Sequence, residues 1–273
     1  MRVLAAIDDS AAAQPVLDVA RRLGDLIGAR VESVHVQEDG SGENATSISR
    51  AAHVPLHVRH GDIVPVLRSE AGERDVVALV IGTRGVPAGP SPAGHVAIDL
   101  VQSLDRPIVV VPPHATDRPL RCVLVAVEGD GESHALVRLF EQFGTRPTPE
   151  VIALHVTEPS NLPPFADSAV HEADAFANEF MIRSASGVVP DLSRIRFEMR
   201  VGDPADAVRE AARELDVDMV VFAWHRDLSE GHGRVVREML ADASVPVALF
   251  PYDDREPSED STRGTQKTLN DAR

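Results

Sequence analysis

The chain has 273 residues, of which 43% are hydrophobic and 26% are charged, which is typical of globular domains and excludes wholesale disorder. Its formal net charge of −16 opposes a role in coating nucleic acid or anionic lipid surfaces. A single cysteine, Cys122, excludes an intramolecular disulfide, and a single lysine, Lys267, excludes a phosphate loop of the Gly-x-x-x-x-Gly-Lys type in the body of the chain.

The first half of the sequence alternates predicted strands with predicted helices. The strands are short, nearly continuous apolar runs, typical of a parallel sheet covered on both faces: Val3–Ile7, Val31–Val36, Val76–Ile81 and Ile108–Val111. Apolar residues recur at helical spacing between them: Val16, Leu17, Ala20, Leu23 and Ile27, then Val64, Leu67 and Ala71. Asp62 follows a glycine and is predicted to cap the second of these helices. The segment Gln37–Pro55 is predicted to lack a helix or to hold a short one.

The second half of the sequence repeats the first. Four blocks recur in order: Val3–Ser10 at Val123–Asp130, Val34–Val36 at Leu154–Val156, Gly61–Ile63 at Gly202–Pro204, and Arg106–Pro112 at Val245–Pro251. Such self-similarity indicates two copies of one supersecondary design. We therefore predict an α/β protein of two tandem open parallel-sheet domains, residues 1–115 and 119–252, followed by a disordered tail, residues 253–273.

The predicted strands of the second copy are Cys122–Val127, Val151–Val156, Ile195–Arg200, Met219–Ala223 and Val247–Phe250. An insertion around Ala166–Gly187 has apolar residues at helical spacing and is predicted to be a full helix. Asp203 is predicted to cap the helix that Pro204 begins. In alternating βαβ units, ligands bind at the carboxyl ends of the strands.

These motifs together resemble the universal stress protein family in its tandem form. The resemblance covers about Met1–Pro251 and includes Ala6–Ser10, Val34–Val36, His60–Asp62, Val80–Gly85 and Arg106-Pro107. It implies a Rossmann-like domain of strand order 3-2-1-4-5 that pairs with a second copy through the last strands. Some members of the family bind ATP and others do not.

The resemblance implies a candidate nucleotide site in the first half. The family's Gly-x-x-Gly motif corresponds to Gly82 and Gly85, its later Gly-Ser or Gly-Thr pair to Gly94 and His95, and its strand-end aspartate to Asp8. Glycine amides and a helix N-terminus favour phosphate, Asp8 and the backbone at Val36 would read adenine, and Arg84 and His95 would supply donors. Eight residues with three prolines separate Gly85 from Gly94, and His95 replaces the usual hydroxyl.

The second copy departs further from the pattern, so we expect a degenerate and mainly structural site there. The aspartate position holds Glu128, and the two glycine positions hold Ala223 and Arg226 with Trp224 between them. Phe222 and Trp224 are expected to fill the vacated space.

Other polar residues have structural interpretations that we favour over catalytic ones. His53, His57 and His60 are interpreted as surface and strand residues, not as metal ligands. Cys122 is interpreted as a buried inert thiol, and Asp9 as a solvated carboxylate. His35 and His155 are expected to pack or to hydrogen-bond backbone, and Ser10 to cap a helix.

We expect a regulator that binds ATP or another adenine nucleotide in its first half as a sensor, without a metal and without a dedicated catalytic function. The alternatives are a scaffold with a closed pocket and a weak ATPase. We expect the two halves to pair within the chain, with a further homodimer and an unknown regulatory protein as possible partners. The start of the chain resembles no signal peptide and no apolar run spans a bilayer, so neither membrane nor nucleic acid is expected as a partner and the location is expected to be cytoplasmic.

Overall fold

The computed structural model describes residues 1–37, 42–83, 94–127, 149–157, 195–229 and 233–251. The predicted insertion helix around Ala166–Gly187 and the predicted tail lie outside these residues. None of the described helices combines the length and the hydropathy that a membrane crossing needs.

The first half contains five strands and four helices in alternation. In chain order they are β1 (Arg2–Ala6), α1 (Ala13–Ile27), β2 (Arg30–Gln37), α2 (Glu43–Ala51), β3 (Leu56–His60), α3 (Ile63–Ala71), β4 (Val76–Gly82), α4 (His95–Ser103) and β5 (Ile108–Val111). The apolar runs predicted β1, β2, β4 and β5 to within one residue at each end. Of the two alternatives predicted for the segment 37–55, no helix or a short one, the structure shows the short helix α2.

The second half has the same plan over its described residues. The elements are β6 (Cys122–Val127), β7 (Glu150–Thr157), β8 (Ile195–Val201), α5 (Pro204–Glu214), β9 (Met219–Trp224), α6 (Arg234–Asp242) and β10 (Val247–Pro251). All five strands predicted for this half are confirmed to within one residue.

All ten described strands belong to one sheet of order β3-β2-β1-β4-β5-β10-β9-β6-β7-β8. Each half therefore has the strand order 3-2-1-4-5, and every pair within a half is parallel. The halves meet where β5 pairs antiparallel with β10, from Val110 with Val247 to Ile108 with Leu249. The expected pairing of the last strands within one chain is confirmed.

The sheet is buried on both faces, which explains the continuous apolar runs. In β1, Val3 and Ala5 belong to the core on the face of α1 and α2, whereas Leu4 and Ala6 belong to the core that α3 to α6 cover. This three-layer arrangement leaves the carboxyl ends of the strands as the edge where loops and helix N-termini meet.

Two predicted caps are wrong in detail. The helix α1 has Ala12 as its N-cap residue, and Ser10 instead lies in the preceding turn, where its hydroxyl accepts from the Ala12 amide at 3.1 Å. Asp62 occupies the N-cap position of α3, but its side chain accepts no hydrogen bond from the helix. Asp203 does cap α5, since its carboxylate accepts from the amides of Ala205 and Asp206.

Candidate functional site

Asp8 lies just past the end of β1, at the carboxyl edge of the first half. Its Oδ1 accepts two hydrogen bonds from Ser10, from the amide at 3.0 Å and from the hydroxyl at 2.6 Å. Its Oδ2 has no hydrogen-bond partner among the described residues. The half-buried carboxylate is therefore held in one orientation by one oxygen while the other oxygen can accept from a ligand.

The strand β4 ends beside β1, and Gly82 is its last residue. Thr83 follows, is buried, and donates its amide to the Val111 carbonyl at 2.9 Å. The Gly94 amide in turn donates to the Thr83 carbonyl at 2.7 Å. The two ends of the segment 84–93 are thus joined at its base, while the predicted site residues Arg84 and Gly85 lie outside the described residues.

The hydrogen bond from Gly94 removes one of the backbone donors that the sequence suggested for phosphate. The Gly94 amide is already paired with Thr83, so it is not free for a phosphate oxygen. The helix α4 begins at the next residue, His95, which is exposed, and no side chain caps its N-terminus. The first amides of α4 therefore remain as backbone donors at this edge.

The predicted adenine-side residue Val36 lies near the end of β2, half-buried and next to His35. The buried His35 ring donates from Nδ1 to the Ile7 carbonyl at 3.0 Å, because a carbonyl can only accept. In the second half, His155 makes the same contact with the Val127 carbonyl at 3.1 Å. The prediction of a structural backbone hydrogen bond for both histidines is confirmed.

The helix α2 is fixed beside this edge by contacts that the sequence did not indicate. The Asp9 carboxylate, which the sequence predicted to be merely solvated, is exposed but accepts from the Ala45 amide of α2 at 2.8 Å. Gly42, the N-cap residue of α2, has φ +60° and lies against the His35 ring: a Cβ there would be 3.1 Å from Cδ2. Gly42 therefore allows both the left-handed turn and the close approach to the imidazole.

The corresponding place in the second half is filled. The backbone register equates Ala223 with Gly82, because Ala223 pairs with Phe250 as Gly82 pairs with Val111. Trp224 follows Ala223, is 4% exposed, and packs under the N-terminus of α6, where a Cβ on Gly233 would be 2.8 Å from the Trp224 ring. A buried indole thus occupies the space between strand end and helix start.

The cation at this helix N-terminus is also engaged. Arg234, the first residue of α6, forms an ion pair with Asp203 at 2.8 Å and a second with Glu238 at 3.1 Å. The predicted counterpart of Asp8, Glu128, lies outside the described residues.

The remaining candidates occupy structural positions. His57 and His60 lie on β3 and His53 in the preceding turn, as the interpretation of surface and strand histidines predicted. Cys122 begins β6, half-buried, where burial and the charges of Glu150 and Asp218 raise the pKa of its thiol to about 11. A raised thiol pKa agrees with the prediction of an inert cysteine.

Comparisons with known proteins relate the chain to one family. The model of the Universal stress protein family matches residues 120–251. A universal stress protein of Mycobacterium tuberculosis is 32% identical over 114 residues, which are 41% of this chain and 35% of that protein. The match therefore spans about a third of the length of this curated relative.

Solved structures show the same architecture. A universal stress protein from Archaeoglobus fulgidus superposes with a TM-score of 0.62 and 16% identity over 91% of this chain and 97% of that one. A universal stress protein family protein from Arabidopsis thaliana, solved with AMP bound, matches 52% of this chain and 99% of that one with a TM-score of 0.34 and 17% identity. The likeness to the Archaeoglobus protein shows that the two chains share a fold.

Proposed function

We propose that this chain is a member of the universal stress protein family, whose model matches residues 120–251, and that its first half binds an adenine nucleotide, ATP in particular, as a sensor. The observation that carries the proposal is the carboxylate of Asp8, held through one oxygen by Ser10 while its other oxygen has no partner among the described residues. The exocyclic amino group of adenine is a donor of the kind that this oxygen would accept.

A phosphate chain would extend from that base towards α4. The strand order places β1 between β2 and β4, so Asp8, Val36 and Gly82 lie at or just past the carboxyl ends of three adjacent strands, at the same edge. The uncapped amides at the start of α4, with His95 and Arg84 as side-chain donors, would hold the phosphates. Because Gly94 is paired with Thr83 and the chain carries a net charge of −16, we expect modest affinity.

The proposed role is binding and signalling without a dedicated catalytic function. Phosphoryl transfer depends on groups that stabilise charge on the phosphates, and the body of this chain contains no lysine. The second half serves as a structural partner, because Trp224 fills its equivalent space. A cytoplasmic location and a regulatory protein that recognises the occupied state are part of the same proposal.

A scaffold without a nucleotide is the second candidate. It is favoured by the hydrogen bond from the Gly94 amide to the Thr83 carbonyl, which engages a backbone donor that a phosphate would otherwise use.

Calorimetric titration with ATP, AMP, adenosine and tripolyphosphate separates the two candidates. The informative variant is Asp8→Asn, because its Oδ1 can keep both bonds to Ser10 while an NH2 group replaces Oδ2. Losing a hydrogen bond to a charged group costs about 1.5–3 kcal/mol, so the affinity for adenosine compounds should fall about 10- to 100-fold. The affinity for tripolyphosphate should not fall, since the variant removes a negative charge. Asp18→Asn, which makes the same charge change on α1, is the matched control.

Each outcome decides a separate point. Binding of ATP by the wild type without release of phosphate supports the sensor, and steady phosphate release supports the weak ATPase. No heat of binding at millimolar ATP contradicts the nucleotide proposal and leaves the scaffold. Equal losses of adenosine and tripolyphosphate affinity in Asp8→Asn would show that Asp8 does not read the base.

A further inference from the structure

Trp224 is placed differently from its counterpart in the first half. The register equates it with Thr83, whose backbone bonds stay within its own half, to Val111 and to Gly94. The buried indole of Trp224 instead donates from Nε1 to the carbonyl oxygen of Val101, 3.0 Å away on α4 of the other half. The two halves therefore differ at the point where β4 and β9 end.

The acceptor of this bond is a carbonyl that a short helix leaves unpaired. The last four carbonyl groups of an α-helix have no partner within the helix. In α4 the Leu104 amide returns to Leu100, and the next carbonyl, that of Val101, accepts from Trp224. Trp224 thus acts as a C-terminal capping donor that comes from 123 residues further along the chain.

A second contact also joins the end of β9 to the carboxyl end of α4. Arg226, with φ +64°, forms an ion pair with Asp105, two residues beyond the end of α4. A cation near a helix C-terminus is favoured by the helix dipole. Trp224 and Arg226 together hold the carboxyl end of α4, while its amino end, at His95, lies at the candidate nucleotide site.

We infer that the second half holds α4 of the first half in place, with Trp224 as the positioning residue, so that occupancy at the amino end of α4 is coupled to the contact between the halves. A helix of nine residues moves as one body, so a change in the position of one end displaces the other. The coupling to a ligand rests on the proposed function, whereas the holding of α4 does not.

The holding of α4 is tested by hydrogen exchange on the full chain. The variant Trp224→Phe keeps an aromatic ring and removes the donor to Val101. A neutral hydrogen bond contributes enough that its loss should speed exchange of the α4 amides about two- to tenfold, with α1 unchanged. Arg226→Gln should act on α4 in the same direction. Arg209→Gln is the matched control, because among the residues that the structure describes Arg209 pairs with acids of the second half, Asp206, Glu238 and Asp242.

The coupling is tested by ligand affinity and by fluorescence, since Trp224 is the only tryptophan of the chain. Binding of ATP by the wild type should change the Trp224 emission, and Trp224→Phe should weaken ATP binding by up to about tenfold, the equilibrium factor for the same lost bond. Unchanged α4 exchange in Trp224→Phe would overturn the inference. Normal ATP affinity in that variant, with no change of wild-type emission, would overturn the coupling. If the wild type binds no nucleotide, the proposed function and the coupling fail together, and the exchange result alone decides whether the second half holds α4.

Discussion

Two equivalent aspartates at the starts of α3 and α5 allow a matched test of how the chain stabilises its carboxyl edge. Asp62 and Asp203 both follow a glycine and both occupy an N-cap position. The Asp203 carboxylate accepts from the Ala205 amide at 3.0 Å and from the Asp206 amide at 3.2 Å, whereas that of Asp62 accepts from neither helix amide. We therefore expect Asp203→Ala to destabilise the protein and Asp62→Ala to have little effect.

The expected loss of stability in Asp203→Ala follows from the contacts that Asp203 makes. Replacing an aspartate cap by alanine costs typically about 1 kcal/mol. The ion pair with Arg234 adds at most about 0.5 kcal/mol, because both side chains are well exposed, at 39% and 47%. A loss of about 1–1.5 kcal/mol should lower Tm by roughly 3–5 °C in a chain of this size. The loss for Asp62→Ala should stay within about 0.5 kcal/mol.

The pH dependence gives an independent check. Hydrogen bonds, first from the Asp206 amide and then from Arg234, lower the pKa of the Asp203 carboxyl despite its desolvation. Because the folded-state pKa is below the unfolded value of about 3.9, the contribution is complete above that value and is lost as the pH falls through the folded pKa. Urea unfolding at pH 7 and near pH 3 should show a difference between wild type and Asp203→Ala that shrinks in acid. Equal losses for both aspartates, or a difference independent of pH, would refute this reasoning.

Two further expectations concern Gly233 and Cys122. Gly233→Ala should lower the free energy of unfolding by at least about 1–2 kcal/mol, because its φ of +58° is strained for alanine. The loss should be larger still, because the new Cβ would lie 2.6 Å from the Asp227 carbonyl oxygen. The control Gly72→Ala, at φ −75°, should lose much less in the same thermal unfolding assay. Cys122 should react with a thiol reagent at pH 8 about 100-fold more slowly than an unperturbed cysteine, since a pKa of about 11 leaves only about 0.1% thiolate; a rate like that of a free peptide thiol would contradict its burial.

The strands could be predicted because a sheet covered on both faces needs continuous apolar runs. Of the two edge strands, β8 was predicted and β3 was not, since the residues of β3 are all half-buried or exposed and two of its five are histidines. Helix starts were less predictable, because several polar residues near each start compete for the same amides. In the turn before α1 the hydroxyl of Ser10 is occupied with Asp8 and with the Ala12 amide, and the helix begins three residues after Ser10.

At the candidate site, the sequence could locate only those residues whose position is determined by the end of a strand. Asp8 and His35 lie where the strand pattern put them, because each is tied to the end of a strand. The bond from Gly94 to Thr83 joins residues on either side of the segment 84–93, and the bond from Trp224 to Val101 joins residues 123 positions apart. No local sequence pattern encodes either contact, although the first engages an amide at the candidate site and the second engages the indole of Trp224.

One position explains why the two halves of a duplicated fold need not share a function. At the end of β4 the smaller Thr83 bonds through its backbone to Val111 and Gly94, both in its own half. At the equivalent end of β9 the large Trp224 packs against Gly233, and its indole N–H donates to the Val101 carbonyl of the other half. Because Trp224 both fills the space in the second half and holds α4 of the first half, a substitution at this position affects both halves at once. Restoring a small residue at position 224 would therefore open the second half only by releasing α4 in the first.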